Sequence, residues 1–105
     1  MNTTLKALLV AAGIAVAGQA FALQTSPAET AGMCAGNAML INKAATAAGP
    51  QYANVAAMAM AQFKRDYGTY GNQPGFTEAA KYAINQNSTM QQRITMADNC
   101  QARGF

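Results

Sequence analysis

Ile84-Asn85-Gln86-Asn87-Ser88-Thr89-Met90-Gln91 is the stretch on which the fold turns. By helix propensity alone it could sit inside one long helix from Thr77 to Ala102. It could equally be a turn. Ser88-Thr89-Met90-Gln91 has the spacing of a capping box, which opens a new helix. The cysteines decide between the two. Cys34 and Cys100 are the only pair in the chain. On an unbroken third helix Cys100 would lie roughly 35 Å along the axis, while Cys34 lies roughly 12 Å along a first helix running the same way. Bridged cysteines need Cα atoms within about 7 Å of each other. A reversal near Asn87 brings Cys100 back level with Cys34. The spacing therefore predicts an all-α, four-helix, up-down-up-down bundle stapled by a Cys34–Cys100 disulfide, with the fourth helix running from Thr89 to about Ala102. Met90, Ile94, Ala97 and Cys100 are its expected inner side.

Working back from there, Thr77 caps the third helix, with Glu78 in its first turn. Before it, Gly68 to Gly75 reads as the one long loop, rich in glycine and containing Pro74. The second helix is expected from Gln51 to about Tyr67, with Tyr52, Val55, Ala56, Ala59, Met60, Phe63 and Tyr67 as its apolar stripe and Gly68 just past its end. Gly49-Pro50 closes the first helix. That helix opens at Ser26-Pro27-Ala28-Glu29, a capping box with proline at the first helical position, and runs to about Ala48. Met33, Leu40, Ile41, Ala44 and Ala48 share one face, with Cys34 on its flank and Asn37 inside it as a hydrogen-bonded core or rim group. Gly32 and Gly36 are spaced to let another backbone pack closely.

Residues 1–22 read as a secretory signal peptide. Lys6 charges the start, Ala7–Ala17 is an uncharged and mostly apolar run, and Ala20-Phe21-Ala22 places small residues before a cut after Ala22. The run is too short to span a bilayer, which takes about 20 apolar residues. Residues 23–105 then form one small disulfide-stapled domain with no integral membrane span, in the periplasm or the extracellular space, where disulfides persist.

Composition excludes more than it assigns. The chain has no histidine or tryptophan and a formal net charge of +3. Without histidine there is no Ser–His or Cys–His nucleophile, so no enzymatic activity is expected. The charge is too small and too scattered for nucleic acid. Two distant cysteines do not make a CxxC redox centre. Met58-Ala59-Met60 invites a copper reading, but side chains two apart on a helix point about 200° from each other, and no cofactor is expected. The feature that invites a function is aromatic. Tyr67 and Phe76 bracket the loop, Tyr70 lies within it, and Lys64 and Arg65 precede it; together they form a candidate interaction surface for an unidentified protein or envelope component. The competing explanations are that Tyr67 and Phe76 fold back over the bundle end, and that Lys64 and Arg65 complement the helix dipole. Holdase-type chaperoning, a membrane-active role and methionine-based copper binding are alternatives to a specific partner. In outline alone the chain resembles acid-stress periplasmic chaperones and periplasmic immunity proteins, with no shared motif. Its four carboxylate side chains are few for an acid switch.

Overall fold

The computed structural model describes residues 26–105; the signal-peptide reading lies outside the described residues. Among the described residues four helices follow one another: α1 Pro27–Ala48, α2 Ala53–Tyr70, α3 Phe76–Ile84 and α4 Met90–Ala102, with a short 3-10 turn, Pro50–Tyr52, before α2. Their contacts give the directions. Asn42 on α1 meets Ala56 on α2, while Ala31 and Ala35 meet Phe63 and Tyr70, so α2 runs antiparallel to α1. Gly32 lies against Phe76 and Gly36 against Ala80, so α3 runs back parallel to α1. Cys34 bonds Cys100, and Asn37 meets Arg93, so α4 descends again. The Cα atoms of the disulfide are 6.0 Å apart, joining α1 to α4 as the reversal requires.

α1 is the central element. Every residue from Thr30 to Ala38 is buried, because the other three helices each pack against it. The expected single apolar face is too narrow. Ala44 and Ala48 lie exposed and Leu40 is half-buried, beyond the stretch that is enclosed. Small side chains make the enclosure possible. A Cβ on Gly32 would overlap the Phe76 carbonyl oxygen and come to 3.0 Å of Ala79 Cβ; one on Gly36 would overlap the Ala80 carbonyl oxygen and come to 3.0 Å of its Cα. The GxxxG spacing thus marks the α1–α3 crossing. Gly36→Ala removes a helix-weakening glycine, worth about 1 kcal/mol, yet it must push α3 away by its backbone. We expect a net loss of roughly 1–3 kcal/mol in urea denaturation. Gly68→Ala, where a Cβ meets nothing within 4 Å, should instead gain about 0.5–1 kcal/mol.

Both capping boxes form, the second one residue later than expected. Ser26 Oγ accepts from Glu29 N at 3.2 Å, and Glu29 Oε1 accepts from Ser26 N at 2.9 Å. At α4 the pair is Thr89 and Gln92, with bonds of 3.1 and 2.9 Å, not Ser88 and Gln91. The Ser88 amide already donates to Gln86 O in the turn after α3, which leaves Thr89 as the first amide for a glutamine to reach. α2 runs on through Gly68 to Tyr70, so the loop shrinks to residues 71–75. Gly68 has no positive φ; Tyr70, packed on the Ala31–Ala35–Phe76 cluster, draws the last turn of helix with it. α3 is capped by Gly75 at φ 92°, not by Thr77, because Phe76 enters the core and starts the helix earlier.

Candidate interaction surface and the carboxylate behind it

The start of α1, the end of α2, the start of α3 and the end of α4 meet at one pole, where the five surface candidates lie. Tyr67 is 55% exposed, so it leaves the stripe assigned to it. Its ring stacks on Phe63 at 5.7 Å and meets the edge of Phe76 at 5.8 Å. Phe76 is buried in the Ala31–Ala35 cluster and supports Tyr67 from below without reaching solvent. Tyr70 is half-buried and packs on Phe105, ring to ring at 5.8 Å. Lys64 and Arg65 are exposed, and Arg65 Nη2 donates to the Phe105 carbonyl oxygen at 2.6 Å. Tyr52, also assigned to the stripe, is exposed at the opposite pole.

The true inner face of α2 is half polar. Ala59 is buried, and beside it Gln62 and Asp66 are each 1% exposed. Gln62 Nε2 donates to Ala97 O and to Phe105 O, at 3.3 Å each. Asp66 Oδ2 is buried with no hydrogen-bond partner. Burial raises its pKa to about 6, and the positive charge of Arg65 pulls it part of the way back. These residues escape a reading based on apolar periodicity, because Gln62, Asp66 and Tyr70 follow one another at helical spacing beside the Ala59–Phe63 row. A count of inward positions blind to polarity would have found them.

α4 carries a second polar cluster. Arg93 is buried, while Met90, expected inside, is 39% exposed and Ile94 and Ala97 are half-buried. The Arg93 guanidinium donates to Asn37 Oδ1 at 3.2 Å, to Ala83 O at 3.3 Å and to Gln86 O at 2.6 Å. Asn37 Nδ2 returns a bond to the Arg93 carbonyl at 2.9 Å. Arg93 thus caps carbonyls at and beyond the C-terminal end of α3, where the helix dipole favours a cation. Burial lowers its pKa. Its role is architectural: it fills the reversal between α3 and α4.

Among the described residues no group of three His, Cys, Asp or Glu side chains could hold a metal ion, and no helix is long and apolar enough to cross a membrane. Met58 and Met60 lie on the continuous α2, Met58 60% exposed and Met60 half-buried. An apolar groove of about 130 Å³ opens between α2 and α4 over Ile41, with Val55, Met58 and Ile94 on its walls. Comparisons with protein-family models, with curated proteins and with solved structures find no match to this chain.

Proposed function

We propose that the chain is a non-enzymatic interaction module of the periplasm or extracellular space, which binds another protein or an envelope component through the pole at the end of α2. The observation that carries this reading is the setting of Tyr67. Its ring is exposed yet propped by Phe63 and Phe76, with Lys64 nearly one helical turn before it on α2, while the exposed Arg65 turns toward Phe105 at the same pole. A ring held in place gives contact area at little entropic cost on binding, and tyrosine and arginine are enriched where interfaces gain most of their energy. The two cations favour an acidic contact patch on the partner. Support for export comes from the leader-like residues 1–22 and from the disulfide.

The test is a crosslinked pull-down of the oxidised protein from its host's envelope fraction, compared with Tyr67→Ala. One dominant partner should be captured and lost in the variant, whose affinity falls by about 30-fold if Tyr67 is a hot spot. Its melting temperature should stay close to that of the parent. Tyr70→Ala is the contrasting control, since that ring packs on the core and its loss lowers stability. Retention of the partner by Tyr67→Ala, or capture of many unfolded clients in place of one partner, would overturn the reading; the second outcome is the signature of a holdase.

A further inference from the structure

Phe105 is tied to one face of α2 at three points. Gln62 Nε2 and Arg65 Nη2 both donate to its carbonyl oxygen, and its ring lies 5.8 Å from that of Tyr70. Asp66 stands on the same face between Gln62 and Tyr70, one helical turn from each. Residue 105 therefore lies along the turn that bears Asp66. The Phe105 amide donates back to Cys100 O at 2.8 Å. Gly104, at φ 89° and with open space around its Cβ position, joins this tail to the end of α4.

We propose that Gly104–Phe105 is a pH-gated latch over Asp66: the neutral carboxyl is covered by the tail, and its ionisation swings Phe105 off α2, baring Tyr70 and the Ala31–Ala35 floor beside it. Two effects act in the same direction. An ionised carboxylate needs water or a cation, and lifting the tail admits water to Oδ2. Arg65, drawn to the new charge, leaves the Phe105 carbonyl that it holds at 2.6 Å. The other charged groups toward this pole are Glu29 on α1, Lys64 on α2, Glu78 on α3, Asp98 on α4 and Arg103 just past its end. The Asp66 environment is set first by burial, with the Arg65 charge acting against it.

The sign follows from linkage. The latched state holds the Asp66 proton up to about pH 6, and the open state releases it near the ordinary value of 3.8. Latching is therefore favoured in acid and lost as pH rises through about 6, with an opening constant that grows by about tenfold between pH 5 and 7.5.

The experiment is NMR on the oxidised protein across that range and needs no partner, so its failure is separate from failure of the binding reading. Phe105–Tyr70 ring contacts should weaken with rising pH. Protection of the Phe105 amide, corrected for intrinsic exchange, should fall about tenfold. In Asp66→Asn both should be flat. In Phe105→Ala, the Asp66 carboxyl should titrate near pH 4 in place of 6. Ring contacts that persist while Asp66 titrates, or an Asp66 midpoint unmoved by Phe105→Ala, would overturn the latch.

Discussion

Arg93→Ala should cost roughly 3–5 kcal/mol in urea or thermal denaturation, enough to leave a domain of this size close to its unfolding threshold. The guanidinium supplies donors to three acceptors on two other segments, Asn37 Oδ1 on α1 and the carbonyls of Ala83 and Gln86 around the end of α3. Truncation leaves Asn37 Oδ1 without its donor in a region Arg93 had closed to water, at about 1–3 kcal/mol for a group left unsatisfied, and takes a charge-assisted bond from the Ala83 and Gln86 carbonyls, which keep the amides of Gln86 and Ser88. It also withdraws a cation from the negative end of the α3 dipole. Arg93→Lys should recover less than half of the loss, because one ammonium on a flexible stem cannot reproduce a planar fork serving three directions. Asn37→Ala should cost less, about 1–2 kcal/mol, and the double variant should fall short of the sum because the two side chains share bonds. A loss below about 1 kcal/mol for Arg93→Ala would mean that water replaces the guanidinium freely, and the reversal would then be held by the disulfide and the Thr89–Gln92 cap.

Asp66 gives the domain an unusual response to acid. A carboxylate raised to about 6 by burial opposes folding when charged. Its contribution is most favourable below about pH 4 and is lost as pH rises through 6, a swing on the order of 2 kcal/mol. An acid-activated chaperone needs the reverse, carboxylates whose protonation loosens the fold. The group that responds most here tightens it, which weighs against the acid-stress likeness and suits a module whose tail opens near neutrality.

The fold was legible where local chemistry and topology agreed. Ser26–Glu29 fixes the start of α1 by bonds that its spacing announces. The disulfide converts an ambiguous polar stretch into a turn, because two cysteines far apart in sequence must meet. Gly32 and Gly36 announce a close backbone crossing, though not which helix supplies it. What stayed hidden was set by partners distant in the chain. Gly68 looked like a helix end, but Tyr70, anchored on the core, carries the helix past it. Phe76 read both as part of a recognition surface and as a ring folded back over the bundle end, and only the space left by Ala31 and Ala35 decides for the second. Gln62, Asp66 and Arg93 look like solvent residues on any hydropathy scale. Their burial follows from α1 being surrounded by three helices, an arrangement that needs inward positions on α2 and α4 which apolar side chains alone do not supply.

Replacing Cys34 and Cys100 together by alanine should lower stability by about 4 kcal/mol, the chain-entropy value for a crosslink spanning 66 residues. Cavity formation at two buried positions adds to this. The loss should not be uniform. α4 is held to the bundle by the disulfide, by the Asn37–Arg93 pair, and by Gln62 and Arg65 gripping the tail. It offers no large buried apolar side chain of its own. Without the crosslink, amide exchange in residues 90–102 should therefore drop to local-opening rates, while α1, α2 and α3, tied through Gly32, Gly36 and the Phe76 cluster, keep their protection. If α4 loosens alone, the disulfide serves to hold a polar helix on an alanine-rich core that cannot retain it by hydrophobic contact. If all four helices lose protection together, the Arg93 cluster couples α4 to the rest, and the crosslink acts on the whole domain through the unfolded chain. The Arg93→Ala variant in the oxidised background separates these cases, since it removes the coupling and leaves the staple in place.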